Sequence, residues 1–191
     1  MIARYNADGT LDGTFGTGGM AVTPMYIGEA HAMAVQPDGR ILLSGQVLVY
    51  DTAVLVGTLD YALVRYDPDG ALDNAFGING RITTDLSDVH HRDDYGRCMT
   101  VQPDGRIIVA GFSVDQVTGL YSFGLVRYEA DGTLDGSFGT GGVMVHDFGG
   151  NYLEARGIAL QPDGRILIAG CTWSDFALAR YNTDGSLDNS F

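Results

Sequence analysis

The feature that most constrains this chain is a motif that occurs four times. Its copies read RYNADGTLDGTFGTGG from Arg4, RYDPDGALDNAFGING from Arg65, RYEADGTLDGSFGTGG from Arg127 and RYNTDGSLDNSF from Arg180. A second motif, QPDGRI, begins at Gln36, Gln102 and Gln161. Copies of this second motif are 66 and 59 residues apart, so one unit of about 60 residues is repeated three times. A motif present in every unit belongs to the scaffold, because a dedicated site would occur once.

Each unit carries the alternation and turn signals of β-strands. The segments AHAMAVQ, RCMTVQ and RGIALQ end at a Pro-Asp-Gly turn, and the apolar runs RILLSG, RIIVAG and RILIAG follow. The RY motif then ends a third strand, and a Gly-rich segment leads into a fourth. The apolar runs have no polar face, so both sides of each sheet must be covered. Stacked four-stranded antiparallel sheets are β-propeller blades, and the sequence therefore predicts an all-β propeller of about three blades.

The repeat boundaries predict a single propeller array over residues 1–191. Blade units cover roughly residues 30–87, 95–147 and 153–191, and residues 1–25 form a partial blade. In this interpretation the second strand of each unit ends at the glycine that closes its apolar run.

The two motifs together resemble the repeat of the bacterial delta-sixty family. Units of that family read RY-x-x-DG-x-LD-x-x-FG-x-x-G, followed by QPDG and an apolar strand of the ILIAG type, and the resemblance covers essentially the whole chain. It implies a β-propeller of large secreted or surface proteins, and hence an extracellular or cell-surface location. It brings no catalytic residues to this chain, because the family has no agreed molecular activity.

Three blades are fewer than the four to eight of known closed propellers. An arc of three would leave two end faces in water, lined by residues such as Ile41, Ile107 and Ile166. Self-association could cover these faces in a homodimer that closes six blades, or neighbouring repeats of a longer array could do so. The duplicated RY strand favours the longer array, because in a closed dimer one copy would compete with the other.

The charge balance argues against anionic partners. The chain has 24 acidic and 11 basic residues and a net charge of −13, so nucleic acid and anionic membranes would be repelled. No apolar run approaches about 18 residues and the start MIARYNADG has no signal-peptide pattern. We therefore expect no nucleic-acid partner, no membrane insertion and an export signal, if any, outside this sequence. Cys98 and Cys171 are expected to be free thiols, with a disulfide as the alternative.

The lengths between motifs separate two faces of the propeller. From each RY arginine to the Phe of its motif the distance is 11 residues in all four copies, whereas the distances from the strand-ending glycine to the next RY arginine are 20, 16 and 10. An up-and-down blade places the constant turns on one face and the variable loops on the other, where binding is usually built. The variable segments are residues 22–31, 47–59, 85–97, 113–122, 146–156 and 172–175.

Ten residues of these segments are candidate ligand-binding residues: His31, His90, His91, Asp93, Asp94, Arg97, Tyr152, Arg156, Trp173 and Asp175. His31, Arg97 and Arg156 share one repeat position and would ring the channel mouth as an anion-facing set, or pair with neighbouring acids. The HHRDD run could ligate a metal or hold a sugar or peptide, or it could be a solvated loop. Trp173 and Tyr152 could form platforms for carbohydrate or fill gaps between blades.

A calcium site is a weaker candidate. Asp67, Asp69 and Asp73 resemble the first part of a calcium loop, but the bidentate Glu is missing, and Asp-Gly turns explain these acids without an ion. No other cofactor is expected. The sequence lacks lysine, a G-x-S-x-G elbow and a dinucleotide fingerprint, so we do not expect an enzyme.

The sequence therefore predicts a non-catalytic binding and scaffold module of an extracellular or surface protein. Its variable loops would recognise a glycan, a peptide or another protein, including a second copy of itself. Two other classes stay open at this point: a purely structural repeat module, and a propeller hydrolase or lactonase with a metal at the channel mouth.

Overall fold

The structure is a computed structural model that describes residues 1–25, 28–51, 56–86, 92–148 and 152–191. In these ranges the strands are β1 (Ile2–Ala3), β2 (Met20–Ala21), β3 (Gly28–Val35), β4 (Ile41–Asp51), β5 (Val56–Tyr66), β6 (Arg81–Thr84), β7 (Arg92–Val101), β8 (Ile107–Asp115), β9 (Tyr121–Tyr128), β10 (Val143–His146), β11 (Glu154–Leu160), β12 (Ile166–Cys171) and β13 (Phe176–Tyr181). This part of the chain contains no helix long and apolar enough to cross a membrane.

The strands form successive antiparallel sheets. Blade 1 consists of β3–β6 and blade 2 of β7–β10, and in each sheet consecutive strands pair with one another. Blade 3 has the three strands β11–β13, and β1 pairs with β2 in an N-terminal half-blade. An RY motif stands at the end of β5, the third strand of blade 1, and another directly follows β1. By this repeat position, β1 and β2 correspond to the third and fourth strands of a blade. The predicted all-β fold with four-stranded antiparallel blades is confirmed.

The first strand of each blade lies nearest the propeller axis. β3 and β11 both contact β7 across the blade boundaries, whereas β6 and β10 lie at the opposite edges of their sheets. Each blade therefore runs outward from the axis. The QPDG and RY turns lie on one side, called the constant-turn face. The opposite side, which carries the β8–β9 and β12–β13 turns and the far ends of the other strands, is called the variable face.

The hydrophobic core lies between the blades. Leu42 and Leu63 of blade 1 pack with Ile107 and Val109 of blade 2, and all four side chains are fully buried. An equivalent cluster joins blades 2 and 3. Burial of each such aliphatic side chain stabilises the fold by about 1.5–3 kcal/mol. Because both faces of the central strands are covered, these strands need no polar alternation.

The open ends of the arc differ from the sequence prediction. Ile41, Ile107 and Ile166 are all buried, because each belongs to the cluster shared with the preceding blade. The open face of blade 3 is lined instead by Phe176 and Leu178, which are 101% and 58% exposed. The prediction that the isoleucines line wet end faces was therefore wrong.

Both cysteines are free, as the sequence indicated. Cys98 is buried, and burial raises the pKa of its thiol to about 12. Such a thiol is protonated at neutral pH and packs as a small apolar side chain.

Candidate functional site

A repeated ion pair occupies the constant-turn face. Arg65 Nε donates to Asp73 Oδ2 at 2.7 Å, and Arg127 Nε donates to Asp135 Oδ2 at the same distance. Each of these arginines is also stacked on the Phe of its own motif, as Arg65 is on Phe76 at 4.2 Å from the ring centroid. The contacts fix the RY turn in the same geometry in each blade, so this face serves the scaffold.

The three calcium candidates have protein partners on this face. Asp73 Oδ2 lies 2.7 Å from Arg65 Nε and 3.2 Å from Arg40 Nε, and Asp67 Oδ1 lies 3.4 Å from the latter. Asp69 Oδ1 caps its own turn by accepting the backbone N–H two residues on, at 2.9 Å. Among the described residues, no three His, Cys, Asp or Glu side chains are arranged to hold a metal ion. Calcium binding stays a prediction from sequence.

The variable face is built by hairpins that extend past the glycine taken as the end of the second strand. β4 continues to Asp51 and β8 to Asp115. The segments 47–59 and 113–122, which were predicted as loops, therefore include the ends of these strands and of their partners β5 and β9. Pairing continues because the antiparallel partners β5 and β9 are lengthened as well, so that Val47 lies opposite Asp60.

A β-bulge explains the role of that glycine. Opposite it, the register of each innermost strand shifts by one residue, and the extra residue is His31 in β3, Arg97 in β7 and Arg156 in β11. A Cβ on Gly111 would lie 1.8 Å from the Tyr95 carbonyl oxygen, and the same clash recurs in the other two blades. Only glycine allows so close an approach of two backbones. The bulge re-aims one side chain in each blade.

The three bulge residues line one cavity at the channel mouth, so the structure brings this predicted set together. Arg97 Nη1 lies 2.8 Å from His31 Nε2 and 3.2 Å from Nδ1 of the same ring. Burial, followed by the charge of Arg97, lowers the pKa of His31, in agreement with a neutral ring. Glu154 forms an ion pair with Arg156 and raises the pKa of that guanidinium. The shared cavity is therefore present, and of the two arginines Arg156 also has an acidic partner.

Five aromatic side chains form a continuous series on the variable face, called the aromatic row. Its members are Tyr95, Phe112, Tyr121, Tyr152 and Trp173, with successive ring-centroid distances of 4.8, 5.6, 5.0 and 4.3 Å. Trp173, at one end, is 75% exposed. At the other end the Arg97 guanidinium lies 5.3 Å from the centroids of the Tyr95 and Phe112 rings. The row joins the exposed surface to the channel mouth.

Three members of the row, Tyr95, Phe112 and Tyr121, were not among the ten candidate residues. Phe112 follows the glycine opposite the bulge, where Gln46 stands in blade 1 and Cys171 in blade 3. This difference between equivalent repeat positions is the sequence signal that identifies Phe112. For Tyr121 the sequence offers no comparable signal, because it lies in a segment of variable length.

The HHRDD run falls into two parts. His90 and His91 lie outside the described residues. Asp93 and Asp94 lie in β7, and the carboxylate of Asp93 accepts a backbone N–H of β5 at 2.9 Å. Asp94 is 0% exposed and its Oδ2 accepts the N–H of Leu86 at 2.7 Å. The interpretation of this run as a solvated loop was therefore wrong for Asp94, because the first strand begins earlier than its apolar residues indicate.

Burial raises the pKa of two carboxyl groups near the start of β7, those of Asp94 and Asp60. Burial raises the pKa of Asp94 to about 7, with further contributions from Asp85 and Asp60. Burial also raises the pKa of Asp60 to about 6, with Asp85 and Asp93 adding to the effect. The boundary between blades 1 and 2 therefore holds a proton-sensitive group of acids beneath the variable face.

Asp175 closes the turn between β12 and β13. Its backbone carbonyl accepts the N–H of Thr172 at 2.9 Å, and its carboxylate accepts the Ser174 hydroxyl at 2.7 Å. The turn holds Trp173 between these residues. Asp175 therefore positions the exposed end of the aromatic row.

Comparison with known families agrees with this architecture. The chain matches the family described as "Domain of unknown function (DUF5122) beta-propeller" over residues 2–15, 36–76, 102–138 and 161–191. The matched segments make up more than half of the chain and contain the RY and QPDG turns, whereas the three bulge residues lie outside them. A search of the curated proteins finds no match. The chain therefore belongs to this family of β-propeller repeats.

Proposed function

We propose that this protein is a non-catalytic β-propeller binding module that recognises a glycan on its variable face. The aromatic row is the observation that supports this. Trp173 is 75% exposed, yet its indole lies 4.3 Å from the Tyr152 ring, which holds it in place. A large amphipathic ring that is already positioned loses little conformational entropy on binding. Its free surface suits the apolar C–H face of a sugar ring.

Polar groups beside the row suit the hydroxyls of the same ligand. The Glu154 carboxylate lies beside the Tyr152 hydroxyl, Asp175 lies beside Trp173, and Arg97 lies at the channel mouth. Apolar walls with a few placed donors and acceptors are typical of small-ligand sites. The net charge of −13 would repel a polyanionic glycan, so a neutral oligosaccharide is favoured.

A non-catalytic role is supported by the way the titratable groups are used. Asp94 has a pKa of about 7, the range of a general acid or base, but it is fully buried and accepts the Leu86 N–H. A group that cannot touch a substrate cannot transfer a proton to it. Asp93 is likewise occupied by a backbone N–H.

We also propose that the chain belongs to the delta-sixty repeats within the broader propeller family. The four RY motifs and three QPDG motifs support this assignment. An extracellular or cell-surface location is inferred from the same resemblance.

A glycan array followed by titration calorimetry tests the proposed function. The array identifies a ligand among neutral oligosaccharides, and the titration compares the wild type with Trp173→Ala. We expect the variant to bind at least about tenfold more weakly, because an exposed aromatic anchor carries a large share of binding free energy. Val117→Ala is the matched control, since Val117 is also exposed on the variable face but lies outside the row. A wild type that binds no glycan, or equal affinities for Trp173→Ala and wild type, would contradict the proposal.

A further inference from the structure

The junctions between neighbouring blades share one hydrogen-bond pattern on the constant-turn face. The RY arginine donates from Nη1 to a carbonyl of the next blade: Arg4 to Pro68 at 2.6 Å, Arg65 to Ala130 at 2.6 Å and Arg127 to Thr183 at 2.5 Å. The glycine after the Phe donates its N–H to the following carbonyl: Gly16 to Asp69, Gly77 to Asp131 and Gly139 to Asp184. The half-blade and blades 1 to 3 are therefore joined in one way three times.

Each junction also packs a Phe ring on a glycine of the next blade. The pairs are Phe15 with Gly70, Phe76 with Gly132 and Phe138 with Gly185. A Cβ on these glycines would come within 2.8 to 3.0 Å of the ring, and the three rings are 0% exposed. The ring and the glycine thus form a fitted pair, since any larger residue would collide with the ring.

The rear face of blade 3 carries the same groups without their partners. The Arg180 guanidinium lies 4.6 Å from the centroid of the Phe191 ring, as in the other copies, yet Phe191 is 58% exposed. Arg180 Nε donates to Asp188, but among the described residues no acceptor lies within hydrogen-bond distance of its Nη1. Phe176 and Leu178 are 101% and 58% exposed, whereas their equivalents in blades 1 and 2 are at most 1% exposed. This face therefore has the arginine donor and the Phe ring of a junction.

The N-terminal half-blade carries the matching acceptors. Ala7, Asp8 and Gly9 hold the repeat positions that receive the arginine, the N–H and the ring at the three internal junctions. No hydrogen bond within the described ranges reaches the carbonyls of Ala7 and Asp8. Gly9 has φ +85°, close to the values of its equivalents, and no atom lies within 4 Å of its Cβ position. Tyr5 is 63% exposed, although its equivalent Tyr66 is 3% exposed.

We propose that the rear face of blade 3 docks head-to-tail on the half-blade of a second copy of this chain. Arg180 then donates to the Ala7 carbonyl of the second copy, and Phe191 packs on its Gly9. The new junction repeats the arginine–carbonyl and ring–glycine contacts of the three internal ones, because these groups occupy the same repeat positions. No strand is displaced, so both copies of the duplicated RY strand are retained. Such a heterologous contact closes into a ring where the rotation fits and otherwise extends. It does not use the variable face, so it is independent of the proposed glycan binding.

Two variants that each block one side of this contact test the proposal. Phe191→Glu places a charge on the rear face and Tyr5→Glu places one on the half-blade; both side chains are more than half exposed, and circular dichroism checks that each variant folds. Light scattering is measured over a concentration series. The apparent mass of the wild type is expected to rise above the monomer mass of 20.3 kDa as the concentration increases. Each variant alone is expected to stay monomeric at concentrations about tenfold higher.

The mixture of the two variants distinguishes a head-to-tail contact from a symmetric one. Each variant keeps one intact side, so an equimolar mixture is expected to form a dimer containing one copy of each. Val117→Glu, on the variable face, is expected to assemble as the wild type does. A wild type that remains monomeric throughout, a Phe191→Glu variant that still self-associates, or a mixture that remains monomeric would overturn the proposal.

Discussion

The two faces of this propeller use the same repeat in opposite ways. On the constant-turn face the ion pairs Arg65–Asp73, Arg127–Asp135 and Arg180–Asp188 recur with the same 2.7 Å distance. On the variable face the backbone also repeats, with a bulge at one position of each innermost strand, but the side chains there differ. Repeated chemistry therefore joins the blades, and repeated backbone geometry with varied chemistry is available for binding.

The cross-strand pair beside each bulge makes this difference concrete. It is Glu29 with Gln46 in blade 1, Tyr95 with Phe112 in blade 2 and Glu154 with Cys171 in blade 3. Only blade 2 places two stacked rings there, at an interplanar angle of 18°. The aromatic row therefore depends on one blade departing from its repeat, while the bulge that orients these strands is common to all three.

Arg127→Ala should have the largest effect, because it breaks a buried ion pair of the constant-turn face. Arg127 and Asp135 are 5% and 4% exposed, and Arg127 also donates to a carbonyl of blade 3. Leaving a buried carboxylate without its partner costs about 3–5 kcal/mol. We expect the lower end of that range, since Arg106 Nε lies 3.3 Å from the same carboxylate. Urea unfolding monitored by circular dichroism measures the change.

Arg4→Ala is the matched control for this prediction. Arg4 makes the same ion pair with Asp12 at 2.8 Å, but its side chain is 37% exposed. Exposed ion pairs are worth about 0–1 kcal/mol, so a small loss is expected. Equal losses for the two variants would mean that burial does not set the strength of the repeated pair.

The repeat motifs were sufficient to predict the blades, because strand patterns and turn residues are local features. The QPDG and RY turns fix where strands begin and end on the constant-turn face, and the apolar runs between them are long enough to indicate β-strands. The shared position of His31, Arg97 and Arg156 was likewise visible from repeat spacing. These features need no knowledge of which segments meet in space.

The rest of the candidate site depends on tertiary contacts that one sequence does not display. The aromatic row collects residues from five segments of blades 2 and 3, such as Phe112 in β8 and Trp173 in a turn. A one-residue bulge leaves no signal in the residue types of its partner strand, so Gly111 was taken as a strand end. Asp94 was taken as a loop residue because a charged residue gives no sign of a buried strand start.

Gly111→Ala should break the common backbone geometry beneath the variable face. Its Cβ would lie 1.8 Å from the Tyr95 carbonyl oxygen and 2.6 Å from the Tyr61 hydroxyl, so the backbone must move. Overpacking of this kind costs about 1–3 kcal/mol, and we expect the upper end because the nearest atom is backbone. Thermal unfolding measures the loss. Gly136→Ala, where no atom lies within 4 Å, should change stability by less than about 0.5 kcal/mol. Similar losses at both positions would refute the close-approach explanation.

Asp94→Asn should show how much the buried charge of Asp94, beneath the variable face, destabilises the folded protein near neutral pH. The pKa of Asp94 is about 7 in the folded protein against 3.8 for an ordinary carboxyl, so between these values the folded state binds more protons than the unfolded state. The free energy of unfolding therefore falls as pH rises from about 4 to 7. The asparagine is neutral throughout, and its carbonyl oxygen can still accept the Leu86 N–H.

The difference between the two unfolding curves isolates this contribution, since the opposite effect of the lowered His31 pKa is common to both proteins. We expect similar stability at pH 4 and a variant more stable by about 2 kcal/mol at pH 8, because part of the shift is shared with Asp60 and Asp85. Asp163→Asn, which removes an exposed carboxylate of the constant-turn face, is the control and should change the free energy of unfolding by less than about 0.5 kcal/mol. Parallel curves for Asp94→Asn and wild type would show that the buried Asp94 carboxylate beneath the variable face does not oppose folding.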